Sequence, residues 1–200
     1  VYTGYQRVDD QKVKEKFEAA WGCSLSSSPG LTLTAIFQAA YERKFKALYL
    51  VGENPVLSDP DSQHIKEALE KLEFLVVQDV FLSETAHLAH VVLPAASFAE
   101  KDGTFTNTER RVQRVRKAIE PVDNSRPDWW ITCQIAQRMG SKGFDFDHPA
   151  QIMEEIARLT PSYGGISYNR LESGGLPWPC PTPEHPGTPS PLLPKALGEG

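Results

Sequence analysis

Apolar residues first recur at helical spacing in Val13, Phe17, Ala20 and Trp21, with Gly22 after them in a C-cap position. "SSSPG" interrupts the chain. A second stripe, Leu33, Ile36, Phe37, Ala40 and Tyr41, then keeps the i, i+3, i+4, i+7, i+8 rhythm of an amphipathic helix, with Thr32 or Thr34 available to cap it. The period changes at "ALYLV" (47–51), a short continuous apolar run of the kind expected for a strand buried on both faces. "FLVVQD" (74–79) and "HVVLP" (90–94) are two more such runs. Between the first two, Ile65, Ala68, Leu69 and Leu72 mark one face of a helix that Asp59 or Asp61 can cap, and "SETAHLA" makes a helical turn. Helices alternating with strands at this spacing predict an α/β fold: a Rossmann-like, mainly parallel sheet with helices on both faces.

Residues 95–126 break the pattern. They are polar, with Gly103 and many charges, and predict a long loop followed by an extended segment around 110–119. Two helices follow. One spans about 127–139, with Ser125 and Asp128 as cap candidates and Ile131, Ile135 and Met139 on one face. The other starts at Pro149 and carries Ile152, Ile156 and Leu159. Eight of the 16 prolines then fall in 177–194, a composition with little capacity for regular structure. The expected organisation is an α/β domain over 1–175 and a Pro-rich extension over 176–200.

Charge and cysteine content narrow the function classes. A net charge of −5 argues against a general nucleic-acid binder, which needs a basic phosphate-facing surface. No apolar run approaches the roughly 20 residues that span a bilayer, so no membrane contact is expected from this segment. Cys23, Cys133 and Cys180 lie far apart, with no C-x-x-C, which leaves neither a zinc knuckle nor an iron–sulfur binding run. Sparse, odd-numbered cysteines suggest reduced thiols and a cytoplasmic location. Val1 in place of an initiator methionine fits processing, or a segment of a larger protein.

In an open parallel sheet, ligands bind beyond the C-terminal strand ends. Three such ends are in view: Gly52-Glu53-Asn54, Gln78-Asp79 and Leu93-Pro94-Ala95. Gly52 would let a ligand approach the backbone, and Asn54 and Gln78 can each donate to and accept from a heterocycle edge. The competing reading makes Gly52 and Pro55 a plain turn and Ser58, Asp59 and Asp61 plain caps; no G-x-G-x-x-G is present to separate the two. "ERRVQRVRKA" (109–118) is a phosphate-facing stripe or, more simply, a solvated strand face with alternating Val112 and Val115. His87 and His90 lack a third ligand at convincing spacing, so no metal site is assigned. Trp129 and Trp130 fit core and interface anchors. No Ser/His/Asp or Cys/His set emerges, so no catalytic residue is named.

Three stretches are more specific: "YLVGENPVLSDPD", "FLVVQDVFLSETAHLAHVVLPAASFAEKDGTFTNTERRVQRVRKAIEP" and "RPDWWITCQIAQRMG". Together they resemble the large (alpha) subunit of molybdenum- or tungsten-dependent formate dehydrogenases, in the dimethyl-sulfoxide-reductase family of molybdopterin oxidoreductases. "GYQRVDDQKVKEKFEAAWG" and "PSYGGISYNRLESGGLPWPC" fit the same subunit, so the resemblance covers about residues 1–180. It implies a wall of the site for one half of a bis-molybdopterin guanine dinucleotide. The matching positions are Gly52, Glu53, Asn54 and Ser58 around the first turn, then Gln78, Asp79, Ala95 and Asp128. Ala95, smaller than the family's frequent serine, leaves only backbone contact, and Asn54 stands where some relatives have aspartate.

The resemblance places the iron–sulfur cysteines and the metal-ligating selenocysteine or cysteine upstream of this region. It therefore implies a piece of a catalytic subunit that carries no reaction centre and binds no 4Fe-4S cluster itself. The expected partners are the remainder of that subunit and the electron-transfer subunits of a formate dehydrogenase. Two other classes remain open: a cofactor-free assembly module such as the large subunit of respiratory complex I, and an independent nucleotide-binding enzyme.

Overall fold

The computed structural model describes residues 1–189. Helices are α1 (Gln11–Trp21), α2 (Leu33–Tyr41), α3 (Pro55–Ser58), α4 (Ser62–Glu70), α5 (Asp128–Arg138), α6 (Pro149–Leu159) and α7 (Tyr168–Leu171). Strands are β1 (Ala47–Val51), β2 (Phe74–Asp79), β3 (Val91–Pro94), β4 (Gly103–Thr106), β5 (Arg111–Val115) and β6 (Leu176–Pro177). The chain divides into two compact units. One takes Gly30–Lys101 and Ala118–Ile135; the other takes Val1–Pro29, Asp102–Lys117 and the described residues from Ala136.

The first unit is built on a parallel sheet in the order β1-β2-β3, with Val51 opposite Gln78 and Asp79 opposite Pro94. The strand–helix–strand alternation of the sequence is therefore realised. Successive side chains point to opposite faces of a strand. Leu48, Leu50, Leu75 and Val77 meet Phe37 and Ala40 of α2, Ile65, Ala68 and Leu69 of α4, and Ala86. Burying each of the larger apolar side chains there contributes about 2 kcal/mol.

The opposite face departs from expectation. Tyr49, Val51, Phe74 and Val91 are exposed, so β1 is half-buried on one face and exposed on the other, not buried on two. A continuous apolar run records that a strand is apolar, not how many neighbours cover it. The α2 stripe is also shorter than its period suggested, because Leu33 opens the helix and is exposed. Asp61 caps α4 by accepting from the His64 N–H at 3.1 Å, whereas Asp59 accepts from the Asp61 N–H.

In the second unit, Asp10 caps α1 by accepting from Lys12 and Val13, and Gly22 closes that helix in the left-handed region. Phe17 is buried and stacks on Tyr2. Residues read as a loop form β4, which pairs antiparallel with β5, and β5 pairs with β6. The expected alternation of Val112 with Val115 fails over β5 because three residues separate them, an odd spacing that puts them on opposite faces. Val112 is buried and shares its face with Arg114, while Val115 points the other way. Within the run 109–118 only β5 (111–115) is strand, and two of the run's arginines enter intramolecular pairs: the Arg114 guanidinium lies over Tyr168 and pairs with Glu172 and Asp102, and Arg116, just past the strand, pairs with Glu172.

Met153, Ile166, Leu171 and Cys180 complete that core around Val112. Met153, not Ile152, is the fully buried residue of its stretch in α6, where His148 caps the helix. The proline-rich segment begins as β6, and Cys180 is fully buried. Its end, 190–200, lies outside the described residues.

Candidate functional site

All eight residues proposed for the site fall in the unit that holds the parallel sheet. The C-terminal ends of β1, β2 and β3 bring five of them together. Gly52 follows β1 with φ at 65°, a left-handed conformation that costs an L-residue about 1–2 kcal/mol and glycine nothing, and its N–H donates to the Gln78 carbonyl at 2.8 Å. Space beside it is open, since a β-carbon there would meet no atom within 4 Å. The Ala95 N–H donates to the Asp79 carbonyl, extending the β2–β3 ladder by one bond. Asp79 turns its own carboxylate back onto the N–H groups of Val80 and Phe81.

Gln78 lies on the face opposite the α2–α4 core and is wholly buried. Its Oε1 accepts from the Tyr49 hydroxyl, and its Nε2 donates to Asp128 Oδ1 at 2.7 Å. Asp128 opens α5, yet its carboxylate serves this network and not a cap; its Oδ2 pairs with the Lys101 ammonium. Burial, reinforced by the Asp128 charge, holds the Tyr49 phenol above its ordinary pKa, so it remains a proton donor. The amide orientation follows: Oε1 must face the phenol O–H and Nε2 the carboxylate, because the reverse would set two acceptors together.

Asn54 belongs to a second hydrogen-bonded group. Its Oδ1 accepts from the Thr85 N–H and hydroxyl, at 3.2 and 2.7 Å, and its Nδ2 donates to Glu84 at 2.7 Å. Thr85 is fully buried and its hydroxyl also accepts from the Val56 N–H. The Asn54 donation depresses the Glu84 carboxyl below the usual range. Asn54 thus ties the turn after β1 to the segment after β2. Its backbone carbonyl accepts from Ser58, whose side chain is exposed, as is Glu53.

Lys101, Tyr49, Glu84 and Thr85 escaped sequence reasoning. Tyr49 sits inside an apolar run, and only the β1–β2 register sets it beside Gln78. Lys101 is placed by a local device: Ser97 and Glu100 form a capping box, and buried Glu100 also accepts from the Val122 N–H. Other expectations fail. Ser125 caps nothing; its hydroxyl is buried with no hydrogen bond to any described residue. Met139 lies beyond the end of α5 and is 80% exposed, while Cys133 is buried in that helix. Trp130 is exposed beneath Arg126 and anchors no core. His90 accepts from the Leu75 N–H through Nδ1, a structural role. No group of three or more metal-binding side chains occurs among the described residues.

Comparison with known proteins gives this architecture its context. Residues 10–138 match the molybdopterin oxidoreductase family. The chain belongs to that family. Its sequence is 48% identical over 189 residues to the alpha subunit of the F420-dependent formate dehydrogenase of Methanocaldococcus jannaschii, covering 94% of this chain and 28% of the relative. It is likewise 48% identical over 191 residues to the alpha subunit of F420-dependent formate dehydrogenase 2 of Methanococcus maripaludis, with the same coverage. The chain therefore spans little more than a quarter of the length of these two relatives. Among solved structures, acetylene hydratase from Pelobacter acetylenicus aligns with a TM-score of 0.59 and 19% identity, over 88% of this chain and 25% of that one, a likeness of fold alone.

The polar groups at the strand ends include one with hydrogen-bonding capacity to spare. Asp128 offers a carboxylate, 37% exposed, whose two oxygens each already accept one hydrogen bond. A carboxylate has about four acceptor positions, so one remains on each oxygen. Such a pair can accept from two adjacent N–H donors.

Proposed function

We propose that the protein to which this sequence belongs oxidises formate to carbon dioxide, releasing two electrons and a proton, or runs the reverse reaction. In this reading the chain contributes the guanosine-binding wall of one half of a bis-molybdopterin guanine dinucleotide, carrying molybdenum or tungsten. Family membership and the two formate dehydrogenase relatives support the reaction class. The single observation that carries the site is Asp128, half-exposed beyond the end of β2 and held by Gln78 and Lys101 with acceptor capacity to spare.

Asp128 accepts from the N1–H and amino group of guanine; Gln78 is committed to holding that carboxylate and does not itself read the base. Gly52, with open space at its α-carbon, lets the nucleotide approach the turn after β1, where Glu53, Asn54 and Ser58 form the rim. Asp79 and Ala95 shape the neighbouring strand ends. The metal centre, when loaded, supplies the redox chemistry, and no residue of this chain is assigned to it. The remainder of the catalytic subunit supplies the reaction centre and its 4Fe-4S cluster, and electron-transfer subunits receive the electrons.

Titration calorimetry of the 200-residue chain with GDP tests the site directly. Saturable binding that is lost in Asp128→Asn is the expected result. A folded chain with no affinity for GDP would favour a cofactor-free assembly module in its place.

A further inference from the structure

We propose that Lys101 is a positioning residue that holds the Asp128 carboxylate in the orientation needed to accept two parallel N–H donors, and so sets the preference for guanine over bases that lack the amino group. The inference rests on the guanosine reading of Asp128. Four groups form one chain: Tyr49 hydroxyl to Gln78 Oε1, Gln78 Nε2 to Asp128 Oδ1, and Lys101 Nζ to Asp128 Oδ2. A carboxylate free on one side rotates about its Cβ–Cγ bond, a torsion with broad, nearly two-fold preferences. Donors on both oxygens remove that freedom.

Lys101 suits this task more than a direct contact with a ligand. Its side chain is about one-fifth exposed, and its ammonium already donates to Asp128. The backbone before it is fixed by the Ser97–Glu100 capping box and by the Val122 N–H bond to Glu100. Lys101 therefore presents its charge from a rigid corner. Its charge also leaves the ion pair neutral overall, so a neutral purine edge meets a directed acceptor pair without the cost of an uncompensated carboxylate.

The test compares GMP with IMP, which lacks the exocyclic amino group, by titration calorimetry on the 200-residue chain, with thermal unfolding in parallel. The wild type should bind GMP more tightly than IMP. Lys101→Met should shrink the GMP-to-IMP affinity ratio about tenfold, the scale of one charge-assisted hydrogen bond, and Lys101→Arg should restore it. A merely structural role would lower the melting temperature and leave the ratio of the folded fraction unchanged, and that outcome overturns the inference. So does a Lys101→Met chain that binds GMP more tightly. A wild type that binds neither nucleotide defeats the guanosine reading itself, and the inference with it; a wild type that discriminates alongside a Lys101→Met that discriminates equally defeats the inference alone.

Discussion

Gln78 donates from Nε2 to Asp128 Oδ1 across 2.7 Å, joining β2 to the first residue of α5 through an amide with no solvent exposure. The amide read from sequence as a candidate ligand contact is engaged by protein groups at both its oxygen and its nitrogen. Replacing Gln78 with leucine keeps the volume roughly and removes both polar functions. The Tyr49 hydroxyl loses its acceptor and Asp128 loses a donor, so the chain should be destabilised by about 2 kcal/mol. Urea unfolding measures this as a lower midpoint at unchanged slope. An unchanged midpoint would mean that the buried network contributes nothing.

Glu100 makes acid sensitivity predictable. The Ser97 N–H and hydroxyl and the Val122 N–H all donate to its carboxylate and lower its pKa from the ordinary 4.5. A carboxyl depressed in the folded state adds stability above its unfolded pKa, and that stability disappears as pH falls through the folded value. The wild type should therefore lose stability progressively below about pH 4.5 as this carboxyl takes up a proton. Glu100→Gln should be less stable than wild type at pH 7 and should show a shallower fall in acid. Denaturant unfolding at pH 7, 5 and 3 checks both, and parallel pH profiles would refute the assignment.

Two glycines should respond very differently to alanine. Gly52 has a positive φ but open space, so Gly52→Ala should cost only about 1 kcal/mol, the strain of the left-handed region. At Gly165 a β-carbon would sit 1.9 Å from the Thr182 carbonyl oxygen, a backbone atom that cannot swing aside. Gly165→Ala must displace the segment around Cys180 and should destabilise by several kcal/mol, as overpacking of rigid neighbours does. Thermal unfolding of both variants ranks them; equal losses would refute the close approach at Gly165.

The sequence by itself determined the element plan of the parallel-sheet unit. The continuous apolar runs "ALYLV" and "FLVVQD" and the helical period of Ile65, Ala68 and Leu69 are realised as strand and helix, with Leu72 falling just past the end of α4, because side-chain spacing follows backbone geometry directly. It also placed Gly52, Gln78, Asp79 and Ala95 at strand ends, which is where a parallel sheet gathers them. Parity misled at Val115, and continuity misled at β1, since neither states what lies across a face. β4 stayed hidden because a short, polar strand has no apolar period to reveal it. Only the tertiary structure decided what each polar group does. Register set Tyr49 beside Gln78, and the path of the chain carried Lys101 to Asp128 from 27 residues away. Hydrogen bonding is short-ranged and directional, so the partner of a buried amide is settled by where the backbone goes, not by what precedes it in the chain.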